Sequence, residues 1–322
     1  MKAKTLKPIT PATKDILLAQ KAISNIFFYT IYHPLLKALG LTPDEVILKN
    51  SNEPIIQKIQ TGKIVYNSGE FSGNFDSQTS KAIKSLGGVF NKKTHTYKIL
   101  PSKLPAGVRA AISVQIIANN VKRQRILKTI EEINLRFTDE KETHDFRAIA
   151  ADATKTTDSK LNGQLAPKLV VVPEITEYTA ERLQREYSES INLAIKNFTQ
   201  KETEKLREIA QENVFEGFRA DKLEQAIRQR FGISQRRAKF IASQETQILT
   251  AKYNTAKCVQ AGLNKYIWRT QGDSHVRPDH ARLNGKEFDY NNPPETDLTT
   301  HAHNNPSEDY NCRCYAETLV EA

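Results

Sequence analysis

The chain has 322 residues, with 47 Lys and Arg against 37 Asp and Glu for a net charge of +10, long enough for two or three domains with a proper core. No run of about 18 uncharged apolar residues occurs; the nearest, Ile16 to Leu36, is broken by Gln20, Lys21, Ser24 and Asn25, so a membrane span is not expected. The basic start MKAKTLKPITPATKD leads into no clean apolar core with a small-residue cleavage site, which argues against a secretory leader. Three cysteines, two of them one residue apart, make no disulfide framework, and a reducing, intracellular folding environment is expected.

Asp15 to Leu39 reads as a helix with a kink or break at Pro34. Its Ile16, Leu17, Ile23, Ile26, Phe27 and Ile31 are too many apolar side chains for an isolated element, so it should pack on another. From Pro54 to Pro105 the pattern changes. GKIVYNSGEFSGNF alternates apolar and polar residues around Ser68-Gly69, a hairpin signal, and THTYKIL adds a short strand after Gly87-Gly88. With a helix from Ser77 to Leu86, this makes a small α+β module of two or three strands. Gly107 to Phe137 places Val108, Ile112, Ile116, Val121, Leu127, Ile130 and Ile133 near helical spacing, as one long helix or two shorter ones.

Asp139 to Pro167 is polar with few large apolar residues and reads as a linker or extended arm at a domain boundary. Thr179 to Phe215 then carries Leu183, Tyr187, Ile191, Ile195, Phe198, Leu206, Ile209 and Val214, the stripe of one long amphipathic helix ended by Gly217. Arg219 to Arg230 suggests a short helix closed by Gly232. Ser234 to Ala261 suggests a third, with Ser234 as N-cap and Gly262 just past its end. The expected division is a helical arm (1–53), a small α+β module plus helix (54–137), a linker or arm (138–170) and a C-terminal domain (171–322). The fold class is α+β and predominantly helical, with a helical bundle and a C-terminal strand-and-loop cap.

Charge is unevenly placed. Arg269 to Ala322 holds five Lys and Arg against ten Asp and Glu, and taking this −5 from the total of +10 leaves +15 for residues 1–268. VKRQRILK (Val121 to Lys128) and IRQRFGISQRRAKF (Ile227 to Phe240) are suited either to nucleic-acid phosphates, whose condensed counterions they would release, or to a solvated face that keeps the chain soluble.

The segment from Trp268 to Tyr315 gathers His275, His280, His301, His303, Cys312 and Cys314 with Asp273, Arg277, Asp279, Asn284 and Gly285, broken by four prolines. It has too few apolar residues for core packing to explain the crowding. Two chemistries fit. Cys312, Cys314 and an imidazole such as His280 suit a tetrahedral metal, most naturally zinc, with Asp273, His301 or His303 as the fourth ligand. Alternatively the groups hydrogen-bond one another, and the cysteines sit reduced as small buried hydrophobes. Cys-x-Cys is tighter than the usual spacing of zinc cysteines. Glu245 shares a helical face with Ile241 and Ile248; if it points inward its carboxylate needs a partner such as an Arg, and if not it is a surface Glu beside an apolar stripe.

RRAKFIASQET, AKCVQAGLNKYIWRT, GDSHVRPDHARLNGKEF and NPSEDYNCRC, in this order, resemble the C-terminal domain of phage-Mu-type minor head proteins, the head morphogenesis family, over roughly Tyr187 to Val320. The matching positions are Arg237 and Ala238; Ser243, Glu245 and Thr246; Gly262, Tyr266 and Trp268; Asp273, Arg277 and His280; Gly285 and Lys286; and Asn311 to Cys314. Pro306-Ser307 stands where the family commonly has Pro-Gly, and residues before about 170 lie outside the shared domain.

The resemblance implies a minor capsid protein of a tailed bacteriophage, in few copies inside the head near the portal, acting in head assembly and in DNA packaging or delivery. Its implied partners are the portal protein, the major capsid protein and packaged double-stranded DNA, with no membrane in the assembled head. It would be found in the virion interior, and in host cytoplasm during assembly. Glu245, Trp268, Asp273, Arg277, His280, Gly285, Lys286, Asn311 and Arg313 would then be structural, with no catalytic residue; Glu245 would pair with an Arg of the Asp273–His280 box, and His280, Cys312, Cys314 and His303 would be the metal set. The alternative is a metal-dependent nuclease or toxin-type enzyme using the His/Cys cluster, for which a second acidic cluster at suitable spacing is wanting.

Overall fold

The computed structural model describes residues 4–38, 54–60, 63–67, 69–138, 143–215 and 220–320. Among these the protein is predominantly helical, with two four-stranded antiparallel sheets and a two-stranded one. Two compact units result, each assembled from separated stretches: Met1–Ser24, Thr143–Ile195 and Gln235–Ala322 in the first, Asn25–Glu142 and Lys196–Ser234 in the second.

The chain begins with β1 (Lys4–Thr5) and α1 (Thr13–Phe27), and a π-helical turn (Phe28–Tyr32) leads into α2 (His33–Ala38). The break expected at Pro34 takes the form of this turn. A proline there has no N–H for the Thr30 carbonyl and its ring crowds that oxygen, and the wider π turn gives it room. Leu39 lies outside the described residues, as does Gly217.

In the second unit, α3 (Pro54–Gln60) precedes the hairpin β2 (Ile64–Asn67) and β3 (Glu70–Gly73), then α4 (Ser77–Ser85) and the hairpin β4 (Val89–Asn91) and β5 (Thr96–Lys98). The sheet order is β2-β3-β5-β4, one strand more than the sequence suggested. Asp76 caps α4 by accepting from Thr79 N at 2.8 Å. Ile59, Ile64, Phe71, Ile83 and Tyr97 form the core, which Val108, Ala111 and Ile112 of the single long helix α5 (Ala106–Thr138) close.

The same unit holds a buried polar node. Glu202 is only 1% exposed and accepts from Tyr32 Oη at 2.9 Å and from Arg230 Nε at 2.8 Å, while Arg230 Nη2 binds its other oxygen. Ser234, expected as an N-cap, instead shares a hydrogen bond with Tyr32 Oη. Gly232 breaks nothing, because α8 runs unbroken from Ala220 to Gln260 and Phe231 beside it packs on Tyr32 at 5.1 Å between ring centres. The two helices expected on either side of Gly232 are therefore one.

The first unit contains the helix α6 (Arg147–Leu165), where a linker or extended arm was expected. Ala150, Ala153, Thr154, Thr157, Leu161 and Leu165 are buried along one face, so its stripe is built of small residues that a search for large apolar side chains passes over. Phe146 N donates to Ser188 Oγ at 3.1 Å, anchoring the start of α6 to α7 (Glu177–Phe215), the long amphipathic helix read from the sequence. Asp158 of α6 accepts from Lys257 Nζ at 2.7 Å and from Tyr253 Oη at 3.0 Å on α8. Lys257 is 0% exposed.

Removing one partner of a buried charged pair leaves the other uncompensated, at a cost of about 3 kcal/mol or more. Asp158→Ala should therefore lower the urea midpoint strongly, whereas Lys257→Met, which removes the buried charge, should cost much less; equal losses from both would refute the asymmetry. In the second unit Glu202→Ala should cost about 3 kcal/mol by the same physics, and a loss under about 1 kcal/mol would show the node to be a surface-like pair.

Candidate functional site

After α8, Gly262 turns the chain with φ of 75° into β6 (Lys265–Arg269). The rest of the cap comprises α9 (Pro278–Ala281), β7 (Glu287–Asp289), β8 (Glu295–Asp297), β9 (Ala302–His303) and β10 (Tyr315–Val320). The sheet order is β1-β10-β6-β7, with Trp268 paired to Ala316 and Tyr266 to Thr318. Alternation along β6 turns Tyr266 and Trp268 to the same face, and both are fully buried.

Trp268 fixes the floor of the site. Its N–H bonds Lys286 O at 2.9 Å and its carbonyl accepts from Gly285 N at 2.8 Å, with Gly285 at φ of 79° where a side chain is strained. Its indole meets the His280 ring edge-on, with centroids 5.5 Å apart. Pro278 at the start of α9 and the bond from His280 N to Arg277 O at 3.0 Å set the ring of His280, which is 2% exposed.

His280 Nδ1 lies 3.4 Å from Cys312 Sγ and 3.5 Å from Cys314 Sγ, and all three side chains are buried. The other ring nitrogen, Nε2, lies 3.3 Å from Asp309 Oδ2, whose second oxygen accepts from Asn304 Nδ2 at 2.7 Å. These three residues are the one metal-ligand cluster among the described residues. The bond with Asp309, and then that with Cys312, raises the His280 pKa to about 9. Cys312 is held below the usual thiol range, chiefly by the hydrogen bond from the Cys314 thiol, with help from His280 and the backbone N–H groups of Cys314 and Ser307. Cys314, donating to that thiolate, is pushed up.

The other expected ligands stand elsewhere. His303, named in the metal set, bonds Pro293 O at 2.9 Å; His301 bonds Glu295 Oε1 at 2.5 Å; and Asp273 accepts from Arg313 Nη2 at 2.6 Å and His275 N at 3.0 Å. The β8–β9 hairpin thus keeps His301 and His303 on partners within its own segment. Arg277 donates to Tyr310 O at 2.5 Å, Asn311 N to Gln244 Oε1, and Gln247 Nε2 to Cys312 O at 2.6 Å, so α8 carries the Cys-x-Cys segment. Lys286 contributes through its carbonyl.

Glu245 points inward, 3% exposed, and burial raises its pKa. Its hydrogen bonds go to Ser190 and Tyr310 rather than to an Arg of the box, since Arg277 and Arg313 are engaged with Tyr310 O and Asp273. Asp309 went unnoticed in the sequence, although it sits three residues before Cys312 and its carbonyl accepts from Cys312 N at 3.1 Å.

The molecule is thus a helical α+β protein whose C-terminal strands and loops close over a His/Cys cluster. Residues 204–317, from within α7 into β10, match the family described as Phage Mu protein F like protein. Over 82 residues it is 38% identical to an uncharacterized protein of Haemophilus influenzae, a stretch that covers 25% of this chain and 17% of that relative. No solved structure matches it.

Alanine at 285 should cost about 1–2 kcal/mol through its positive φ alone, because the nearest atom to an added Cβ, on Arg269, is 3.9 Å away. A thermal shift for Gly285→Ala as small as that of an exposed control would remove the strain argument.

Proposed function

We propose that the protein is a minor head protein of a tailed bacteriophage, lying inside the head near the portal and acting in head assembly and in DNA packaging or delivery. The observation that carries this reading is the match of residues 204–317, which include the His/Cys cluster, to the Mu F-like family. The packing of the matched residues supports a structural role for them: Trp268, Gly285, Asp273, Arg277, Asn311 and Arg313 each bond within the cap or to α8. No described helix is long and apolar enough to cross a membrane.

The charge division gives the reading a partner chemistry. Residues 1–268 carry +15, and α5 exposes Arg125 and Lys128 while α8 exposes Arg236 and Lys239. Each of these basic stretches by itself suits packed duplex DNA, whose counterions it would displace on binding. Portal and major capsid proteins are the protein partners proposed.

Mass spectrometry of heads produced by the phage or prophage that encodes the chain should find it in few copies, and deletion of its gene should leave heads defective in DNA content. Its absence from purified heads would sink the proposal. Duplex DNA binding by the purified chain should weaken with salt at a log–log slope of about −0.9 per phosphate contacted. Salt-independent binding would remove the DNA contact and leave docking to protein, and cleavage of a plasmid with added divalent cations would favour the enzyme instead.

A further inference from the structure

We propose that His280 Nδ1, Cys312 Sγ and Cys314 Sγ bind one zinc ion, with a water molecule in the fourth place and Asp309 orienting the histidine from behind. Three geometric observations lead there.

The first is the spacing. Zinc at about 2.3 Å from sulfur and about 2.0–2.1 Å from nitrogen in a tetrahedron sets each nitrogen-to-sulfur edge at about 3.6 Å. The protein holds these edges at 3.4 and 3.5 Å. Hydrogen bonding alone does not account for both, because Nδ1 carries either one proton or one lone pair and so serves one sulfur, while two sulfurs stand at nearly equal distance from it. A cation between the three atoms uses all of them.

The second is the tautomer. Asp309 Oδ2 stands 3.3 Å from Nε2, and neither atom has another hydrogen-bond partner among the described residues. A carboxylate there favours the proton on Nε2 and leaves Nδ1 as a bare donor aimed between the sulfurs. Carboxylate–histidine–metal relays have this arrangement.

The third is space. A cavity of about 10 Å3 lies against His280, Cys312 and Cys314, bounded further by His275, Arg277 and Asn311, close to the room one water takes. His303, His301 and Asp273 are engaged elsewhere, so the fourth donor comes from solvent. Mixed thiolate and imidazole donors select zinc over harder cations. Coordination sends the protons still held by the thiols to solvent, with no change of oxidation state.

Elemental analysis of the full chain, expressed with zinc in the medium, should give one zinc per chain. Cobalt in its place should show thiolate-to-metal charge transfer and the intense visible bands of a tetrahedral ion. Cys258→Ser and His303→Ala should keep the metal, and Cys312→Ser with Cys314→Ser should lose it. In competition with a chelator, Asp309→Asn should bind zinc about 10- to 100-fold more weakly. Zinc in the wild-type chain no higher than in the double variant, or cobalt bound without thiolate charge transfer, overturns the site. Unchanged affinity in Asp309→Asn overturns the role given to the carboxylate. Should the double variant fail to fold, the wild-type cobalt spectrum decides alone. None of these readouts depends on a role in phage heads.

Discussion

Everything in the cap is arranged around one buried side chain, Trp268. Its backbone is bonded on one edge of β6 to Gly285 and Lys286, and the strand pairs on the other edge with β10. This leaves the indole fixed in the interior, and His280 takes its place by packing edge-on against it. The two cysteines reach the histidine because Gln244 and Gln247 of α8 grip the backbone on either side of Cys312. A segment with little apolar surface of its own is therefore ordered by borrowed rigidity, from a strand beneath and a helix alongside.

What was legible in the sequence follows from how each element earns its burial. α7 showed as one long stripe and the β2–β3 hairpin as alternation around Gly69, since large side chains mark both. α5 was also visible, although Ile116 and Val121 of its apparent stripe turn out exposed, because only part of so long a helix faces the core. α6 was invisible for the opposite reason: alanine and threonine allow close approach while leaving little trace in a hydropathy pattern. Gly232 and Ser234 looked like helix punctuation, yet a glycine inside a helix costs about 1 kcal/mol, which the packing of Phe231 and the Tyr32–Ser234 bond offset.

The site divides in the same way. His280, Cys312 and Cys314 were readable because rare ligating residues crowd one short segment, and the chain does bring them together. Their number did not say which histidines converge, and His301 and His303 go to local carbonyl and carboxylate partners instead. Asp309 was hidden because an aspartate in a polar loop has many uses, and only the position of the imidazole reveals this one. Helical spacing left Glu245 open between an inward and a surface place and says nothing of partners across the fold; its carboxylate bonds Ser190 and Tyr310 rather than a guanidinium.

Ser307 occupies a position where the resembling family commonly has glycine, and it holds φ of 70°, a conformation that L side chains adopt reluctantly. Its hydroxyl donates to Cys314 O and accepts from Gln247 Nε2, so the strained residue ties together the carbonyl of one cysteine and the helix that carries the other. The turn is in effect a template: the placing of the two cysteines is ruled by backbone and hydroxyl bonds of the protein itself. For the zinc site proposed above, a template of that kind would discriminate by radius, resisting closing on a smaller cation or widening for a larger one.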